Sequence, residues 1–140
     1  MSTRINENIS SSLLKFTFSD EDGEVIASFR MNPADVKLAQ RCQEVSAFFE
    51  ELRDKTPDNA TLEDAVKFND ELEEKICYLL GYDVKQSLFG LISATSIMGD
   101  GNLFVVHVME RITKAVGPEI KKRQQAMAKA VSKHVAKYVK

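Results

Sequence analysis

A chain of 140 residues with 44% hydrophobic content can bury one modest core without disulfide staples, and it is too apolar for general disorder. Two cysteines and two histidines supply neither a disulfide framework nor a usual metal-ligand set. No basic leader runs into an apolar stretch of membrane-spanning length, so the sequence predicts a soluble intracellular protein.

The net charge of −2 conceals a division: residues 1–110 carry ten basic and twenty acidic side chains, and residues 111–140 carry nine basic side chains and one acid, Glu119. Polarity of this kind can steer a partner, or a second copy of the chain, into head-to-tail register.

Residues 1–13 (MSTRINENISSSL) are polar and aperiodic, which predicts a flexible N-terminal arm, and 14–140 reads as one domain. Leu14–Phe18 alternates, with Leu14, Phe16 and Phe18 on one face. Ser19–Gly23 supplies turn chemistry, and Glu24–Arg30 returns with Val25, Ala27 and Phe29 together. Two strands are marginal alone. The hairpin must therefore cover the following helix or join a neighbouring subunit's sheet.

That helix, 33–53, has Asn32 as N-cap, Pro33 at its first position and Asp35 in its first turn. Leu38, Cys42, Val45, Phe49 and Leu52 form its apolar stripe, widened by Phe48. Asp54–Ala60 is a connection stopped by Pro57 and Asn59. Thr61 and Asp64 then form a capping box for a second helix whose stripe is Ala65, Phe68, Leu72, Ile76 and Leu79, with Gly81 as C-cap. Two such helices on a short linker predict an antiparallel pair.

Asp83 suits the start of a short helix at Val84–Phe89, and Leu91–Met98 fits either a short helix or an extended loop. A further helix follows Asn102 with a broad surface of Phe104, Val105, Val108, Met109, Ile112, Ala115 and Val116. Gly117–Pro118 then predicts a break or kink. The last helix, about 119–138, carries Ile120, Met127, Val131, Val135 and Tyr138, surrounded by Lys121, Lys122, Arg123, Lys129, Lys133 and Lys137. The expected fold is mainly α: a small N-terminal β-hairpin packed on a bundle of four to five helices.

No catalytic constellation accompanies these elements. The acid pairs Glu50/Glu51, Glu63/Asp64, Asp70/Glu71 and Glu73/Glu74 sit on helix surfaces without a base cluster. SDEDGE lacks the spacing of an EF-hand, and GDGN at 99–102 is too short for a phosphate loop. His107 reads as a helix-packing or boundary histidine, His134 as solvated or interfacial, and Cys42 and Cys77 as buried thiols. The sequence therefore predicts no enzyme, no cofactor and no metal site.

The basic terminal helix reads most simply as docked through its apolar stripe with lysines in water. Protein or homomeric contact is the next reading. Scarce arginines and aromatics argue against nucleic acid, and the absence of Trp argues against a membrane surface.

From Leu14 to about Lys121 the order of elements resembles the tail assembly chaperones of long-tailed phages and prophages. The stretches that carry the resemblance are FRMNPADVKLAQRCQEVSAFFEEL, ICYLLGYDVKQSLFG and NLFVVHVMERITKAVGPEIKK. The resemblance implies a non-enzymatic, homo-oligomeric protein of the bacterial host cytoplasm. Such a protein holds the long, coiled-coil-rich tape measure protein soluble and contacts the tail-tube protein.

On that reading Phe16, Phe18, Phe29, Phe104, Val105, Val108 and Met109 are the candidate protein interface. Lys121, Lys122, Arg123, Lys129, Lys133 and Lys137 are the candidate charged interface. The alternative is a small nucleic-acid-binding adaptor or regulator using the basic helix.

Overall fold

The computed structural model describes residues 3–9, 13–53 and 61–136, with Arg53 and 133–136 described by their backbone alone. The connection with Pro57 and Asn59, and the terminal Lys137 and Tyr138, lie outside the described residues. Residues 3–9 have no regular secondary structure and are exposed.

Strands β1 (Leu14–Ser19) and β2 (Val25–Met31) precede helices α1 (Val36–Arg53), α2 (Leu62–Leu80) and α3 (Phe104–Ala136). The architecture is a small antiparallel hairpin packed against a mainly α-helical region. Among the described residues it holds three helices, fewer than the four or five expected.

The hairpin pairs Phe16 with Phe29 and Phe18 with Ala27, and its register slips between Phe18 and Ser19. Asp20 closes the turn: its carboxylate accepts the N–H groups of Asp22 and Glu24, both at 2.9 Å. The side chain that gave SDEDGE its calcium-loop look is thus spent on the backbone. Alternation along β2 sends Ala27, Phe29 and Met31 into the core. The outer edge of β2 is covered, because Ser28 N–H donates to the Ser87 carbonyl at 2.9 Å and Arg30 N–H to the Tyr82 hydroxyl at 2.6 Å.

Helix α1 starts later than expected. Asn32 Oδ1 accepts the Ala34 N–H in a preceding turn, and Asp35 serves as the cap, accepting the Lys37 N–H on its carboxylate at 3.0 Å. The physical reason is that Asp35 also offers its carbonyl to Ala39 N–H, which opens the helical ladder there. Helix α2 has the expected capping box, with Thr61 Oγ1 accepting Asp64 N–H and Asp64 accepting Thr61 N–H. It ends at Gly81 in the left-handed conformation (φ 81°), as its C-cap position predicts.

Residues 84–89 form a turn and no helix. Leu88 and Phe89 N–H reach back to Val84 and Lys85, and the pattern goes no further. Two polar side chains of α2 shape the next stretch. Glu73 accepts Ala94 N–H at 3.1 Å, and Asn69 Oδ1 accepts both the N–H and the hydroxyl of Thr95. The backbone then crosses itself at the Ile97–Leu103 bridge, and the carbonyls of Ser96 and Ala94 take the first N–H groups of α3, those of Phe104 and Val105. Asn102, just ahead of α3, donates its N–H and its side-chain amide to Asp100.

The two expected C-terminal helices are one: α3 has 33 residues and runs through Pro118. That is about 50 Å at the α-helical rise. A proline in a helix removes one donor, here the one owed to the Lys114 carbonyl. Lys114, Gly117 and Pro118 are all exposed, so the carbonyl left without its donor lies on a solvent-facing stretch, and the helix continues past it.

Candidate protein interface

Four of the seven residues expected at a protein interface are spent on the chain's own core. Phe29, Phe104, Val105 and Val108 are buried, Phe104 to 1% exposure. The first turns of α3 face inward because the hairpin and the 81–103 segment enclose them. Phe104 meets Phe18 edge-on at 5.3 Å and Phe89 at 6.1 Å, and Phe16 stacks on Phe29 at 5.0 Å. Phe16, Phe18 and Met109 are half-buried and are all that the seven offer a partner. Even Phe16 is shared, with the Arg111 guanidinium 5.6 Å from its ring centre.

The unpartnered apolar surface lies elsewhere. Among the described residues, the stripe of the terminal helix docks on its own chain only as far as Ile120, and it was expected to dock throughout. Beyond it, Met127 and Val131 are 62% and 60% exposed, four residues apart on one face. Lys121, Lys122 and Lys129 are exposed around them. Arg123 is committed to the fold, its guanidinium donating to the Ala34 carbonyl ahead of α1. The side chains of Lys133 and Lys137 lie outside the described residues.

Between α1 and α3 runs an open groove of about 380 Å³, lined by Ala39, Cys42, Ser46, Val116, Gly117 and Ile120 among others. A smaller one of about 180 Å³ continues it past Val36 and Arg123 to Met127. Small side chains on α1 leave the space, and the departure of α3 from the core opens it.

Burial pushes the Cys42 thiol up, and burial also raises Cys77, whose sulfur takes the Val84 N–H at 3.5 Å. Cys42 is buried and Cys77 half-buried, both are free, and a protonated thiol is a poor nucleophile. His107, read from sequence as a helix-packing or boundary histidine, bonds the Asp100 carboxylate at 3.1 Å. The Asp100 carboxyl is held below its ordinary value by the Asn102 N–H and then by His107. Among the described residues, no three His, Cys, Asp or Glu side chains gather as a metal site, and no helix is long and apolar enough to cross a membrane.

Arg41 of α1 makes a contact that no motif in the sequence marks. It lies over the end of α2, donating from Nε to the Leu79 carbonyl at 2.9 Å, where the helix leaves carbonyls unpaired and negative. Nearby, Tyr78 hydroxyl donates to Glu44 at 2.6 Å. Arg41→Ala is expected to lower stability by about 1–2 kcal/mol, the range for a charged hydrogen bond partly open to solvent. Urea unfolding followed by circular dichroism checks this, and an unchanged midpoint contradicts the role. No protein-family model, curated protein or solved structure matches this chain, so its own surfaces carry the functional argument.

Proposed function

We propose that the protein is a non-enzymatic tail assembly chaperone of a phage or prophage. It binds the tape measure protein in the cytoplasm of the bacterial host and delivers it to tail-tube assembly. The observation that carries this reading is the open apolar groove between α1 and α3, running from Cys42 and Val116 to Val36 and Ile120 and left uncovered beside a basic helix. A holding protein needs such a surface: it shields apolar side chains of a client while its charged remainder keeps the pair soluble. The resemblance in element order supplies the identity of the client, a long coiled-coil-rich protein whose a and d positions are apolar.

Co-expression with the tape measure protein, followed by size-exclusion chromatography, tests the reading. Soluble tape measure protein eluting with the chain is expected, with yield falling several-fold for Val36→Glu combined with Ala47→Glu, both on the groove. Unchanged tape measure solubility and migration refute it.

The exposed Lys121, Lys122 and Lys129 also support the alternative, a small nucleic-acid-binding adaptor. Salt-dependent duplex binding lost on reversal of those charges would favour it over the chaperone.

A further inference from the structure

Two segments of this chain are exposed, amphipathic and opposite in charge. On α2, Leu62 and Val66 are 82% and 52% exposed and stand one turn apart on the same face. Around and below them Glu63, Asp64, Asp70, Glu71 and Glu74 are exposed, and the one base of the segment, Lys67, is already 3.7 Å from Glu63. On α3, Met127 and Val131 have the same spacing, and residues 121–132 hold Lys121, Lys122, Arg123 and Lys129 with no acid. Each segment is a short greasy seam framed by one sign of charge.

Within one chain the two do not meet. Every residue of 62–67 and of 121–132 is exposed, and the Arg123 contact to Ala34 ties α3 to the start of α1. We infer that the projecting half of α3 docks on the acidic, N-terminal half of α2 in a second copy of the chain. Leu62 and Val66 then pack against Met127 and Val131, and the lysines face the carboxylates.

This contact joins two different patches, so each copy offers one of each, and a row or a closed ring results. The seam is short for a permanent interface. Association is therefore weak, driven by charge and sensitive to salt. The inference names a surface for the self-association that the chaperone reading includes. Its test needs no client, so failure here leaves the client experiment independent.

Sedimentation velocity of the full chain provides the test. The wild type is expected to associate with rising concentration up to about 100 µM, and about tenfold less tightly when salt is raised from about 50 mM to about 500 mM. Lys121→Glu, Lys122→Glu and Lys129→Glu together make one variant, and Glu63→Lys, Asp70→Lys and Glu71→Lys together make another. Each alone is expected to stay monomeric, since its two patches repel, with its urea midpoint near that of the wild type. An equimolar mixture regains association, because each chain then finds its complement in the other. The inference is overturned by a wild type that stays monomeric in low salt, by association surviving either reversal, or by a mixture that does not recover. A monomeric wild type that shifts a short DNA duplex would overturn it in favour of nucleic acid.

Discussion

Phe104→Ala is expected to cost about 3–5 kcal/mol, the range for emptying a buried phenyl site. That is a large part of the total, since whole domains are stable by only about 5–15 kcal/mol. Phe104 is the residue on which three pieces converge: β1 through Phe18, the 85–89 turn through Phe89, and the start of α3 itself. The substitution removes both edge-to-face contacts at once and leaves Phe18 and Phe89 facing the void. Chemical denaturation should show the midpoint falling steeply, and the variant should expose enough apolar surface to bind a hydrophobic dye. Phe16→Ala, at a half-buried site on β1, should cost clearly less. A stable Phe104→Ala protein that had merely lost a partner would restore that residue to the interface and contradict its place in the core.

The second large effect is expected from the smallest change. A methyl group added at Gly90 would lie 2.3 Å from the Gln86 carbonyl oxygen, which belongs to the backbone and cannot swing aside. Gly90→Ala must therefore unwind the 85–89 turn. That turn positions buried Leu88 and Phe89, and its Ser87 carbonyl covers the edge of β2. A loss of about 2–3 kcal/mol is expected, as for overpacking that shifts the main chain. Gly99→Ala is the control: nothing lies within 4 Å of its added methyl, and the change should be neutral. Equal midpoints for the two variants would refute the close-approach argument.

The sequence was legible where structure is local. Alternation marked the hairpin, three- and four-residue spacing marked the stripes of α1 and α2, and Thr61, Asp64 and Gly81 marked the ends of α2. It was opaque where partners are distant. Asn69 and Glu73 look like surface residues of an acidic helix, yet they hold Thr95 and Ala94, more than twenty positions on. Val84, Leu88 and Ala94 are fully buried without belonging to any helix or strand, so no period announces them.

Pro118 misled because its cost depends on surroundings: on an exposed face a missing donor is tolerated, and α3 continues. The aromatic set was read as surplus because the 81–103 segment, which consumes it, could not be folded from pattern alone. What the sequence did announce about function was the charge division. Its basic side is now placed on a projecting helix, and much of its acidic side on α2.

The 81–103 segment has a consequence for how the protein meets a protease. A stretch this long without helix or strand ordinarily invites nicking, since cleavage needs backbone that can be drawn out of the fold. Here the main chain is held by α2 side chains, and Lys85, the one tryptic residue between Gly81 and Leu103, has its ammonium bonded to Glu74. Residues 121–132 of α3 are all exposed and carry Lys121, Lys122 and Lys129. Digestion therefore begins on the regular helix and spares the irregular loop, trimming the basic end while the remainder survives as a resistant fragment.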